Sequence, residues 1–169
     1  MQCTWSKKTP CNNWDFNSVT GAWSIGSAAP TTGTYYVQGA VNVTGSPGSS
    51  KAPVQISIIA TGSINISGSP DIIADTPELL LVTDGDLEIS GGLDTGDPLT
   101  TQGQILVHEQ LKLSGNPSLG GQIIVEDAAT VSTLVTANAI SGNVDITYNG
   151  GLGGGIFKVG GWRDVRDDD

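Results

Sequence analysis

The sequence predicts an all-β chain, a short right-handed parallel β-helix (solenoid) of about five coils with an aromatic N-terminal cap. Three observations predict it. The composition is poor in charge and rich in Gly, Ser, Thr, Ile and Val; one motif recurs at a nearly constant spacing; and apolar and polar residues alternate inside that motif.

A length of 169 residues fits a single domain with a continuous core. Charged residues make up 14% and aromatics 5%, while 24 residues are glycine, a composition short of the groups that line the polar face of an amphipathic helix. β-branched residues separated by turn formers suit short strands instead. The aliphatic content is higher than a disordered segment carries, so the chain is expected to fold.

The recurring motif occupies residues 41–47 (VNVTGSP), 64–70 (INISGSP), 87–93 (LEISGGL) and 111–117 (LKLSGNP), with a degenerate copy at 139–143 (AISGN). Its glycines, Gly45, Gly68, Gly91, Gly115 and Gly142, are 23, 23, 24 and 27 residues apart. A second element precedes each later copy, at 58–62 (IIATG), 81–85 (LVTDG), 106–110 (LVHEQ) and 124–128 (IVEDA). Each coil therefore reads as an aliphatic strand, a corner, an alternating strand, a Ser-Gly-x-Pro turn and a closing loop of variable length. Glycine is expected at the turn for its backbone freedom, and proline there ends the strand.

Alternation within Ile64, Asn65, Ile66 and Ser67 sends the isoleucines inward and the polar residues outward. Coils stacked about 4.8 Å apart then align like with like. Ile66, Ile89 and Leu113 are expected to form an internal column, and Ser67, Ser90 and Ser114 an external one. A repeat of this length is too short for a propeller blade and lacks the helix formers of helical repeats.

The ends of such a stack need cover. Trp5, Trp14, Trp23, Tyr35 and Tyr36 come before the first copy of the motif, and Phe157 and Trp162 come after the last. Residues 1–36 are accordingly read as a Trp-rich cap or lead-in, 37–150 as the β-helix, and 151–169 as a Gly-rich, acidic and flexible tail.

Seven basic residues against 17 acidic ones give a net charge of −10. That balance argues against nucleic acid and anionic membranes as partners. No apolar run is long enough to span a bilayer. No signal-peptide pattern is visible, and Met1 reads as an added methionine on a trimmed export product. Cys3 and Cys11 are the only cysteines. They are either two unpaired thiols or a small disulfide loop formed in an oxidising compartment; with one histidine in the chain, zinc is not expected.

Two polar columns follow from the spacing. Asp71 and Asp94 fall one coil apart, where paired carboxylates repel or share a cation. Asp75 and Asp97 extend that oxygen-rich stretch into a candidate calcium site, although no known calcium-loop motif is present and solvated loop acids are the plainer reading. No other cofactor is expected. The second column is Thr61, Asp84, His108 and Glu126, which sets the only histidine between two carboxylates. An acid–His–acid group of this kind can do general acid–base work; the preferred reading is a surface ion-pair ladder with a raised histidine pKa. Glu88 against Lys112 is a structural pairing of the same sort.

Catalysis is not expected. Polysaccharide lyases of this architecture need a basic residue beside calcium, and only Lys51 and Lys112 lie within the solenoid, neither of them in the acidic stretch. Hydrolases need deep cleft walls that these loops are too short to build. Ice binding uses flat rows of threonine, whereas the outward row Thr44, Ser67, Ser90 and Ser114 lacks most of the methyl groups.

Several stretches carry a family resemblance: 33–37 (GTYYV), 58–70 (IIATGSINISGSP), 75–77 (DTP), 103–110 (GQILVHEQ), 121–127 (GQIIVED), 146–150 (ITYNG) and 161–165 (GWRDV). Over residues 33–166 the chain resembles the C-terminal region of bacterial envelope proteins that accompany type IV pilus assembly, often behind a minor-pilin-like N-terminal helix that has no counterpart in this sequence. The resemblance implies a parallel β-helix in a bacterial envelope setting and carries no catalytic or binding residues. Taken with the residue reading, it predicts a non-enzymatic extracellular or cell-surface structural or adhesive module, pilus-associated, whose partners are surface proteins or glycans. Two alternatives stand beside it: a filament subunit that stacks end to end, and a carbohydrate-binding or carbohydrate-active β-helix.

Overall fold

The computed structural model describes residues 16–75, 79–96, 103–128, 134–149 and 156–158. Among these residues there is no helix, and all regular structure is β. The first sheet contains β1 (Phe16–Thr20), β3 (Gly33–Gln38), β5 (Val54–Ala60), β8 (Leu79–Thr83), β10 (Gln104–Val107) and β13 (Ile123–Val125), in that spatial order. The two-residue β7 (Ile72–Ile73) pairs with the start of β5.

The second sheet contains β2 (Trp23–Ile25), β4 (Val41–Val43), β6 (Ile64–Ile66), β9 (Leu87–Ile89), β11 (Leu111–Leu113) and β14 (Ala139–Ile140), again in chain order. A small third sheet has β12 (Ser118–Gly120), β15 (Asp145–Asn149) and β16 (Ile156–Lys158). Every pairing between these strands is parallel except β15 with β16, and none of the sheets closes on itself. Along the chain, strands of the first and second sheets alternate, so neighbours within a sheet are never consecutive in sequence.

Register in the second sheet places like beside like. Ile64 faces Leu87, which faces Leu111; Ile66 faces Ile89, which faces Leu113. The x-polar-x pattern of these three-residue strands turns both flanking aliphatics inward, and Val43, Ile66, Ile89 and Leu113 are all fully buried. The middle positions Asn42, Asn65, Glu88 and Lys112 form the outward row, closed by a 2.6 Å ion pair from Lys112 Nζ to Glu88 Oε1. Ser67 and Ser90 are exposed and Ser114 is half-buried. Ile89 has aliphatic neighbours on both sides, so trimming one methyl leaves a void that neither strand can fill. Ile89→Val is expected to lower stability by about 1 kcal/mol, read from the midpoint of urea unfolding at an unchanged m-value.

Residues 16–36, expected as a lead-in, continue both sheets. β1 pairs with β3 along its whole length, and β2 pairs with β4. The boundary expected at residue 36 therefore falls inside β3. The cause is a period-two pattern at Trp23, Ser24 and Ile25 that matches Val41 to Val43. Tyr35 is buried in the core, stacked on Trp23 with ring centroids 4.6 Å apart, while Tyr36 turns outward. Trp5, Trp14 and Trp162 lie outside the described residues, as does most of the expected tail, of which only β16 is described.

A third ladder joins the segments after each motif. Asp71 bridges Asp94, Asp94 bridges Ser118, and Ser118 faces Asp145. Main-chain bonds from Asp71, Asp94 and Asp145 to the carbonyls of Pro47, Pro70 and Pro117 keep it in step, at 3.0, 3.0 and 2.9 Å.

Candidate functional site

Strands β3, β5, β8, β10 and β13 lie side by side, so each position along them generates a row across the sheet, and the pleat sends alternate rows to opposite faces. Tyr35, Ile58, Leu81, Ile105 and Ile123 make one row, and its first four members are buried. The next row, Tyr36, Ile59, Val82, Leu106 and Ile124, faces the other way. Each of its side chains is apolar and at least partly exposed, reaching 46% at Ile124.

Val37, Ala60, Thr83 and Val107 form the row after that and are buried again. The buried hydroxyl of Thr83 is satisfied locally, donating to Gly62 O at 2.8 Å and accepting from Gly85 N–H at 3.2 Å. The fourth row is Thr61, Asp84, His108 and Glu126, all exposed. Backbone N–H bonds from Asp84 to Ala60 O, His108 to Thr83 O and Glu126 to Val107 O, at 3.0, 3.0 and 2.9 Å, hold it in register.

The outward aliphatic row and the polar row border one open groove of about 460 Å³. Its described lining includes Asp84 and Glu126 and no lysine or arginine. Closer to the start of β5, the outward face is covered. Ser57 Oγ donates to Leu79 O at 2.6 Å and accepts from Asp75 N–H at 3.0 Å, while Thr34 Oγ1 donates to Asp75 Oδ2 at 3.0 Å. The open surface thus begins at Ile59.

Of the acid–His–acid column, His108 Nδ1 and Glu126 Oε2 meet at 2.6 Å, with side chains 44% and 68% exposed. The hydrogen bond to Glu126 is the main cause holding the imidazole pKa above its ordinary value; slight desolvation opposes it, and the charges of Glu126, Asp84 and Glu109 reinforce it. A base whose pKa is raised by folding contributes stability that is complete below the unfolded value near 6.5 and is lost as pH rises through the folded value. In an NMR titration the His108 ring is expected to titrate above 6.5, and Glu126→Gln is expected to bring it down; an unchanged midpoint would mean the contact does not form in solution.

The four aspartates of the calcium expectation are not all brought together. Asp71 and Asp94 are bridge partners, and Asp71 titrates above the usual carboxylate range because of burial first and the Asp94 charge second. Its ionised form is disfavoured by folding, so stability from this pair falls as pH rises through the raised pKa. Asp94 Oδ1 accepts Gly96 N–H at 2.9 Å, and Asp75 is engaged with β3 and β5 as described above. Asp97 lies outside the described residues. Among the described residues no three His, Cys, Asp or Glu side chains converge as a metal-holding group. Cys3 and Cys11 also lie outside them.

The outward aliphatic row is absent from the sequence expectations, which assigned no faces to these strands, and its members also differ by one residue from the sequence alignment at the last two strands. The recurring elements at 106–110 and 124–128 set Leu106 and Ile124 opposite the inward Ile58 and Leu81. In the structure, Ile105 and Ile123 hold the inward positions, with a register shift between Gln104 and Ile105. Moving the pairing by one residue exchanges the faces, so Leu106 and Ile124 turn outward. The visible signal is a run of three apolar residues on each strand (Ile58 to Ala60, Ile105 to Val107, Ile123 to Val125), which a pleated strand cannot bury on one face.

No described helix is long and apolar enough to cross a membrane. Comparison with protein-family models, curated proteins and solved structures finds no match to this chain.

Proposed function

We propose that the chain is a right-handed parallel β-helix acting as a non-enzymatic binding and structural module at a cell surface, in the setting of the pilus-associated envelope proteins that its sequence resembles. The winding is supported by three parallel ladders whose members recur in the same order: first sheet, second sheet, then the ladder through Asp71, Asp94, Ser118 and Asp145. A chain that returns to a parallel neighbour through other strands makes crossovers, and such crossovers are right-handed in about 98% of cases.

The binding role rests on one observation: the first sheet presents a continuous apolar row beside a continuous polar one, across several strands, with the groove between them open among the described residues. A row of exposed apolar side chains costs solubility unless it is used, and its regular spacing suits an extended partner surface. Incubating the purified chain with a glycan array, together with a reducing-end assay on the bound glycans, tests the non-enzymatic part. Product release on any glycan would remove it.

End-to-end assembly is the second reading, favoured by the position of Ile124, Ile140 and Tyr148. These are the exposed large hydrophobics among the described residues; Ile124 and Ile140 belong to the last strands of the first and second sheets, and Tyr148 to the central strand of the third. Electron microscopy separates the two readings, because long polymers at micromolar concentration belong only to the second.

A further inference from the structure

We infer that the groove between the row Tyr36, Ile59, Val82, Leu106, Ile124 and the row Asp84, His108, Glu126 is a docking site for a basic amphipathic helix of a partner protein. The inference rests on the reading of the chain as a binding module and names the surface and the partner's chemistry.

The geometry selects the shape. The apolar row crosses the strands, and the backbone groups beneath it are already paired within the sheet, so a partner cannot join by adding a strand there. Recognition has to run through side chains. Five residues one strand apart span about 19 Å, the length of about 13 helical residues. A helix lying along the row meets a new rung about every 4.8 Å with turns about 5.4 Å apart, so apolar residues at i, i+3, i+4 and i+7 stay over Ile59, Val82 and Leu106 for the whole contact. Tyr36 closes one end with an aromatic ring, and Ile124 leaves the other end open.

Charge selects the partner. The polar row runs parallel to the apolar one, two residues along the strands, and therefore beside one border of the docked helix. It carries Asp84 and Glu126, the latter bonded to His108, and the described lining adds no lysine or arginine. The chain as a whole is at −10. Lysine or arginine along that border of the helix is attracted, whereas a second copy of this chain would bring acid against acid. The same acidic border distinguishes the site from a purely apolar groove.

The test uses the full chain and a fluorescent Leu/Lys/Ala peptide of about 14 residues, with Leu on one helical face and Lys along one border. Two comparison peptides have the same composition scrambled, or Glu in place of Lys. Fluorescence anisotropy is expected to show saturable, salt-weakened binding of the patterned peptide and at least about tenfold weaker binding of the other two. Val82→Lys, at the centre of an outward row, is expected to weaken the patterned peptide by about tenfold or more, while Asn65→Lys on the second sheet leaves it unchanged. The double reversal Asp84→Lys, Glu126→Lys is expected to shift preference to the Glu peptide, a gain that misfolding cannot mimic. Equal binding of scrambled and patterned peptides, or equal loss in Val82→Lys and Asn65→Lys, overturns the inference. So does an oligosaccharide that occupies the groove in place of the peptide. That last outcome leaves the binding and structural reading standing; polymer formation without peptide binding replaces both with end-to-end assembly, and glycan turnover with intact peptide binding removes the non-enzymatic reading alone.

Discussion

Gly91→Ala is expected to lower the stability of the fold by on the order of 3 kcal/mol, through a collision between layers and not through backbone strain. The φ angle of Gly91 is not positive, and neither is that of Gly68 or Gly45. An alanine at any of these positions has an accessible conformation of its own. What it lacks is space. A Cβ on Gly91 collides with the carbonyl oxygen of Gly68, and one on Gly68 collides with the carbonyl oxygen of Gly45.

Neither neighbour can retreat cheaply. Gly92 N–H donates to Gly68 O and Asn116 N–H donates to Gly91 O, both at 3.1 Å, while Ser90 N–H holds Ile66 O at 2.9 Å. Opening the corner to admit a methyl group stretches bonds above and below at once. Urea unfolding of Gly91→Ala against Ser90→Ala makes the comparison, because the exposed serine next door is expected to change stability by no more than about 0.5 kcal/mol. Equal midpoints for the two variants would show that the layers are not in contact at this corner.

This corner also marks how far the sequence could be read. The recurring Ser/Thr-Gly motif aligned β4, β6, β9, β11 and β14, and its alternation assigned Ile66, Ile89 and Leu113 inward, whereas both residues of β14 are exposed. The glycines, however, were expected for backbone freedom. That holds at Gly115 and Gly142, with φ of +79° and +83°, but at Gly45, Gly68 and Gly91 close approach is the reason, and only neighbouring layers in three dimensions reveal it. The earliest pair of strands was hidden by spacing. Gly26 stands beneath Gly45, yet it precedes it by only 19 residues, so the shorter connection masked the match. In the first sheet the outward aliphatic row stayed hidden because an apolar run does not declare which of its members faces out. The Thr61, Asp84, His108 and Glu126 row needed no such choice, since its polar residues can only face water.

The variant Asp86→Ala carries the other large effect, on the order of 4 kcal/mol, as two buried N–H groups lose their acceptor at about 1–3 kcal/mol each. Asp86 is fully buried. Its Oδ1 accepts Gln110 N–H at 3.1 Å and its Oδ2 accepts Val135 N–H at 2.9 Å, while its own N–H donates to Ser63 Oγ at 3.1 Å. Gln110 and Val135 are themselves buried, so water does not replace the lost oxygens without opening the structure. The contact from Asp86 to Val135 spans 49 residues and anchors the long connection between β13 and β14 to the strand that begins at Leu87. A second set of bonds continues from there: Gln110 Nε2 to Asp127 Oδ1 at 2.7 Å, Asn138 Nδ2 to the same oxygen at 2.8 Å, and Leu111 N–H to Asn138 Oδ1 at 2.7 Å. Asp127, the one described non-glycine residue with positive φ, is thereby held by two donors. Loss of Asp86 should therefore release this connection before the sheets separate. Hydrogen exchange at the Val135 and Gln110 amides is expected to accelerate in Asp86→Ala under conditions where Ile66 and Ile89 remain protected. Asp86→Asn, which keeps one carbonyl oxygen but turns a donor toward the other N–H, is expected to fall between the two. Uniform acceleration across Ile66, Ile89 and Val135 would instead make Asp86 a support of the whole stack and not an anchor for one connection.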